Sequence, residues 1–192
     1  MSDPFFFGYG SLVNRATHVY PMAERARVSG WRRLWKRTRL RRLAFLTVTP
    51  APGHAIDGLV AAVPGGDWAA LDQREAAYLR VPVAAELHGA IAARDAHIYR
   101  TRPEHDTDAT EAHPILQSYL DTVLQGFLRE FGEAGIAHFV ATTDGWDAPI
   151  LDDREAPIYT RAQVLTPGQR ALVDDQLKTV APHRIPLRDY QP

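Results

Sequence analysis

The chain has 192 residues, enough for one substantial core, and carries 22 Lys plus Arg against 23 Asp plus Glu, a formal charge of −1. That balance points to no polyanionic partner, and the absence of cysteine removes disulfides, thiolate nucleophiles and cysteine zinc sites together. There is no run of about 18 apolar residues, and no basic N-terminal segment leading into an apolar one, so a single cytoplasmic domain spanning 1–192, without membrane association, is expected.

The chain opens with Phe5-Phe6-Phe7-Gly8-Tyr9-Gly10-Ser11-Leu12. Three consecutive aromatic residues suit a strand buried on both faces. The glycines on either side of Tyr9 free the backbone to turn sharply and to approach another group closely. A strand running into such a turn presents a nest of backbone amides suited to a carboxylate, a phosphate or a developing oxyanion. Residues 14–26 are polar and interrupted by Pro21, so at most a short helix fits there. Val28 to Trp35 reads as a strand, with Trp31 and Trp35 on one face and Leu34 on the other. Between Arg25 and Arg42 lie eight arginines and Lys36 without an acid. A nucleic-acid face is one reading; core-anchoring tryptophans with arginines solvated on the opposite side is the preferred one. Leu43–Thr49 and Gly58–Val63 read as further strands, closed by Pro50-Ala51-Pro52-Gly53 and Pro64-Gly65-Gly66. Their close spacing favours antiparallel pairing.

Asp67 is a good N-cap for a helix over 68–79, on which Trp68, Leu71, Glu75 and Leu79 share one face. A glutamate where a leucine is expected is costly to bury unless paired, and burial raises its pKa, as a general acid/base requires. The alternative is a carboxylate that reaches water at the stripe's edge or pairs with Arg74. Val81–Leu87 and Ala96–Arg102 read as strands bending near Gly89, and Pro103–Ala112 as a mobile loop. Pro114 opens the strongest helix, with Ile115, Tyr119, Val123, Phe127 and Phe131 recurring every four residues and Gly132 and Gly135 as its stop. Thr143–Tyr159, with the Asp152-Asp153-Arg154-Glu155 cluster, reads as an ordered irregular segment. Thr166-Pro167 then caps a helix to about Lys178 with Leu172, Val173 and Leu177 inward, and 182–192 reads as a surface tail. Residues 151–156 echo 71–76, but Pro157 bars a regular helix through the second copy, so Glu155 cannot share Glu75's setting.

Several chemistries are absent. Gly8-Tyr9-Gly10 lacks the third glycine of a dinucleotide fingerprint, Val13 standing in its place. No Walker A sequence occurs, Ser11 is not in a G-x-S-x-G elbow, and the scattered histidines lack metal-ligand spacing. An oxyanion-binding turn and one glutamate remain, suited to acyl transfer by a single acid/base without cofactor or metal.

Phe7-Gly8-Tyr9-Gly10-Ser11-Leu12, followed by Leu71-Asp72-Gln73-Arg74-Glu75 and by Pro114-Ile115-Leu116-Gln117-Ser118-Tyr119, resembles the γ-glutamylcyclotransferase family, the opening being most similar to its ChaC-like, glutathione-degrading branch. The resemblance covers about 5–135 by motif order; 143–192 lies outside it as a C-terminal extension. It implies an α+β fold, a small mixed, partly closed β-barrel with helices packed around it. It also implies cyclisation of a γ-glutamyl group (from glutathione, a γ-glutamyl amino acid or a γ-glutamyl-amine) to 5-oxoproline with release of the amine. By position, Glu75 matches the catalytic glutamate; Phe7, Gly8, Tyr9, Gly10, Ser11 and Leu12 match the loop that holds the glutamyl moiety; Tyr119 matches a substrate-contacting tyrosine. A cofactor-independent monomer or homodimer acting on a small molecule, with no nucleic-acid partner, is the expectation. A non-catalytic binding or regulatory member of the same fold is the alternative.

Overall fold

A computed structural model describes residues 3–88, 93–107, 113–181 and 183–190. The opening aromatic run forms β1 (Phe5–Gly8), buried throughout. A long hairpin follows, β2 (Glu24–Thr38) with β3 (Arg41–Ala62), then a second, β4 (Tyr78–Leu87) with β5 (Ala93–Thr101). The five strands run in the order β3-β1-β5-β4-β2, and β2 pairs back onto β3, closing a barrel. Only the β1–β5 pair within this ring is parallel. Closure satisfies the backbone groups that an open sheet would leave at its edges.

Alternation along β1 divides the core. Phe5 and Phe7 join a large cluster with Trp35, Ile56, Val123, Phe127 and Phe139, whereas Phe6 packs on the other side with Leu12, Leu71 and Tyr99. The helices are α1 (Ala69–Arg74), α2 (Gln117–Ala141) and α3 (Pro167–Lys178). Short strands β6 (Ile115–Leu116), β8 (Ile150–Asp152) and β9 (Arg184–Pro186) form a separate parallel sheet, and β7 (Thr143–Asp144) adds to the edge of β2. Thr166 caps α3 with Pro167 at its first turn, as the sequence predicts, and Gln169 completes a reciprocal capping box with Thr166.

The structure departs from the sequence reading at several places, one being the strong helix read from Pro114, which begins at Gln117 because Ile115–Leu116 pair in β6. Pro50–Gly53 does not end a strand: the register shifts between Ser29 and Trp31, Gly30 and Gly53 take φ near +84° and +83°, and β3 runs on through the bulge. The helix expected over 68–79 stops at Arg74, because Tyr78 to Glu86 are drawn into the ladder with β5; sheet closure overrides helical spacing. Gly132 breaks α2 with φ +68°, but the helix resumes to Ala141, so the glycines kink rather than end it. The C-terminal tail contributes β9 through Arg184–Pro186. The start of the expected mobile loop is pinned, Arg39 N–H donating to His105 O at 2.9 Å and Thr38 bridging Asp106; 108–112 and Gly89 lie outside the described residues.

The basic run is matched by acids from elsewhere in the chain, in the pairs Arg27–Asp57 at 2.7 Å, Arg32–Asp144 at 2.6 Å and Lys36–Asp106 at 2.6 Å. Arg33 is the exception to the expected solvated face. It is wholly buried on the same side as Trp35, between the rings of Phe127 and Phe139 at 5.0 and 4.8 Å. Its guanidinium donates to Tyr9 O at 2.9 Å, to Thr142 Oγ1 at 2.7 Å and to Asp57 O. Burial pulls its pKa down to about 9, which leaves it charged at neutral pH. Replacing it with Met removes the donor from two buried carbonyls and a hydroxyl, at ~1–3 kcal/mol for each buried group left unsatisfied. Arg33→Met is expected to lower the unfolding free energy in urea by about 3 kcal/mol or more, and Arg33→Lys to recover only part. A loss under ~1 kcal/mol would refute the role given to Arg33.

Candidate active site

β1 ends at Gly8, and Tyr9 and Gly10 carry the chain into a single turn over Ser11–Val13. Val13 N–H donates to Gly10 O at 2.9 Å and Asn14 N–H to Ser11 O at 3.1 Å, which closes the turn. Both glycines are required by close approach: a Cβ on Gly8 would lie 2.5 Å from Leu12 Cβ, and one on Gly10 2.7 Å from the Tyr119 hydroxyl and 3.0 Å from Leu46. The turn is held from behind. Arg33 grips Tyr9 O, while Asn14 Nδ2 donates to Thr122 O at 2.9 Å and to Gln125 Oε1 at 3.0 Å on α2. The Tyr9 hydroxyl donates to Tyr99 O at 2.7 Å, and that of Tyr78 to Leu46 O at 2.9 Å.

Phe7, Gly8, Tyr9, Gly10, Ser11 and Leu12 line a recess of about 30 Å³, closed by Leu46, Glu75, Tyr78, Tyr99 and Tyr119. All the site residues expected from the sequence therefore meet around one small space. That space admits a single oxygen-bearing group, not a whole glutamyl chain. Ser11, Leu46, Glu75, Tyr78 and Tyr119 also line a neighbouring cavity of about 750 Å³, large enough for the remainder of a small molecule.

Glu75 is not on a helical stripe. It follows the last residue of α1, its N–H donating to Leu71 O at 2.9 Å and its carbonyl accepting from Tyr78 N at 2.8 Å. A tight turn between helix and strand thus delivers its carboxyl to the recess. Its side chain retains 17% exposure and lies 3.3 Å from Arg74 Nε, so the pairing with Arg74 is present. Arg74 is itself shared, donating to Thr17 O at 2.8 Å and to Ser11 Oγ at 3.3 Å, and so links the glutamate to the loop. Burial raises the Glu75 pKa, and the charges of Arg74 and Arg161 offset this only in part. Burial likewise raises the Tyr119 hydroxyl, with Tyr159 and Glu75 adding to it, so Tyr119 stays a neutral donor.

The wall formed by Ile158, Tyr159, Thr160 and Arg161 was not anticipated. It comes from the C-terminal extension, and the acidic cluster holds it. Asp153, fully buried, accepts from Ser118 N at 2.8 Å, Ser118 Oγ at 2.5 Å and Ile158 N at 2.9 Å. Arg154 pairs with Asp121 at 2.7 Å and Asp174 at 2.8 Å. The Tyr159 ring stands edge-on to Tyr119, centroids 5.0 Å apart. Glu155 points away, 94% exposed. An irregular turn anchored by polar groups distant in sequence leaves no periodic signal; only the density of charge in 152–155 hinted at it. Among the described residues no group of three His, Asp or Glu is placed to hold a metal ion, and no helix is long and apolar enough to cross a membrane.

Residues 6–119 match the family model of gamma-glutamyl cyclotransferase, AIG2-like, and the chain belongs to that family. Comparison with curated proteins returned no match. Among solved structures it is similar to a gamma-glutamyl cyclotransferase at 14% identity, TM-score 0.58, over 90% of this chain and 99% of that one. It is also similar to the uncharacterized protein loc79017 from Homo sapiens, at 14% identity, TM-score 0.59, over 91% and 99%. YkqA from Bacillus subtilis aligns at 19% identity, TM-score 0.56, over 76% of this chain and 57% of its own. At these identities the likeness is one of fold.

The raised pKa carries a stability consequence. A carboxyl whose folded pKa exceeds its unfolded value favours folding below the unfolded pKa, and loses that contribution as pH rises through the folded pKa. Glu75→Gln is therefore expected to melt above the wild type at pH 7, with the gap closing toward pH ~4, where both side chains are neutral. A variant less stable than wild type at pH 7 would contradict the desolvated carboxylate.

Proposed function

We propose that the protein is a γ-glutamyl cyclotransferase in which Glu75 serves as both base and acid. The observation that carries this reading is that Glu75, on a turn, shares the recess of about 30 Å³ with the loop Gly8–Leu12. The substrate is a small molecule bearing a γ-glutamyl group. Its γ-carbonyl oxygen enters the recess, and the rest of the molecule occupies the larger cavity.

The Glu75 carboxylate takes a proton from the substrate α-ammonium. The freed amine attacks the γ-carbonyl carbon of the same molecule, forming the ring C–N bond, and the loop amides receive the developing oxyanion. As the oxyanion collapses, the bond to the amine half breaks and Glu75 returns the proton to the departing nitrogen. The regenerated carboxylate then takes the second proton from the ring nitrogen and passes it to the released amine, which leaves as the ammonium. Electrons and protons balance without a cofactor. Nucleophile and electrophile belong to one molecule, so holding the chain folded supplies much of the acceleration. A carboxyl with a raised pKa is a stronger base than an exposed glutamate, and a pKa nearer the working pH lets the same group hold the proton and hand it on. Neutral Tyr119 and Tyr78 supply a non-ionised wall beside it.

The test is 5-oxoproline release, followed by mass spectrometry, from glutathione, a γ-glutamyl amino acid and a γ-glutamyl-amine. Wild type is expected to turn over at least one of them; no product from any would favour a non-catalytic binding member. Glu75→Gln is expected to lose about 10²–10⁴-fold in kcat, while Glu155→Gln, on the exposed copy of the motif, keeps most activity. The acid limb of kcat/KM should lie above the ordinary carboxylate range, activity rising with pH as Glu75 loses its proton. A limb unmoved by burial, or full activity in Glu75→Gln, would sink the assignment.

A further inference from the structure

Charge in the large cavity is unbalanced. Among the described residues its walls bear Arg41, Arg74 and Arg161, with Glu75 as the one carboxylate. Arg74 is already committed, to Glu75 and to the Ser11–Thr17 turn. Arg161 forms no salt bridge among the described residues and acts on Glu75 only through space.

The backbone that presents Arg161 is held firmly. Ala162 N–H donates to Tyr159 O at 3.0 Å, closing the turn. Ile158 N–H reaches Asp153, Tyr159 N–H lies 3.4 Å from Ser118 Oγ, and Gln163 N–H donates to Thr122 Oγ1 at 3.1 Å. Three backbone tethers to a buried aspartate and to α2, with the turn closed by Ala162, therefore hold the segment that presents the exposed Arg161 side chain at the rim of the cavity. A planar cation with no salt bridge among the described residues, presented from a tethered backbone, is suited to a carboxylate, which it can take by two parallel N–H···O bonds. Arg41, the first residue of β3, adds a second positive charge to the lining.

We propose that Arg161 is a specificity residue that binds a carboxylate on the amine half of the substrate, so that the cavity selects γ-glutamyl amino acids and peptides over γ-glutamyl alkylamines. This rests on the cyclisation reading above. Glu75 and the loop act on the glutamyl half, which all such substrates share. Discrimination must come from the far side of the scissile bond, and the extension supplies that side.

γ-Glutamylalanine and γ-glutamylethylamine differ only by the α-carboxylate of the amine half, and they make the test. For Arg161→Gln, KM for γ-glutamylalanine is expected to rise about ten-fold more than KM for γ-glutamylethylamine, with Arg161→Lys recovering part of the difference. An equal change for both compounds, or a change in kcat alone, would overturn the proposal and reduce Arg161 to a charge acting on Glu75. Calorimetric binding of both compounds to Glu75→Gln, with and without Arg161→Gln, separates the two levels of the account. If wild type makes no 5-oxoproline but Arg161→Gln still weakens γ-glutamylalanine selectively, cyclisation falls and the carboxylate site stands. If neither compound binds, both fall.

Discussion

A guanidinium without access to water, that of Arg33, ties together three segments from different parts of the chain. It holds the carbonyl of Tyr9 in the loop after β1, the carbonyl of Asp57 in β3 and the hydroxyl of Thr142 at the end of α2. Its two flanking phenyl rings come from α2, so the helix packs onto the barrel around a charge rather than around a purely apolar surface. Desolvating a cation is costly, and only a full set of acceptors makes it tolerable. That requirement fixes where Tyr9 O must lie. The turn from Gly8 to Leu12 is positioned as a consequence, and with it the recess that Glu75 faces.

Glu75 depends on a related balance at the opposite wall. Burial works against its charge, and Arg74 and Arg161 work for it, leaving the carboxyl above its ordinary range yet paired. Arg74 performs two tasks with one side chain, steadying the carboxylate and bonding the turn that runs from Ser11 to Thr17. The site is thus one connected network rather than a glutamate that happens to face a loop. Tyr119 belongs to it as well: its hydroxyl occupies the space that a side chain at position 10 would need.

Much of this was legible in the residues. The aromatic run before Gly8 marked a strand buried on both faces, and the glycines marked the turn. The oddity of a carboxylate in an apolar setting singled out Glu75. The reason given for Glu75 was only half right, since burial comes from a helix-to-strand turn and not from a continuous helical face. Helical spacing over 68–79 competes with pairing of Tyr78–Glu86 against β5, and barrel closure, invisible in a local window, decides the contest. Arg33 was hidden for a similar reason. In a run of eight arginines the one that turns inward is distinguished only by acceptors 24 and 109 residues away in sequence. The wall at 158–161 had no periodicity to betray it, because polar anchors rather than packing place it.

The central claim is that the loop Gly8–Leu12 and Glu75 together receive the reacting carbonyl. Titrating ¹⁵N-labelled protein with 5-oxoproline while following the backbone amides tests this most directly, since the product carries that carbonyl in its ring. Saturable shifts centred on Gly8–Leu12 and on the turn at Glu75 are the predicted result. Saturable shifts confined to another surface, with the Gly8–Leu12 amides unmoved at saturation, would contradict it.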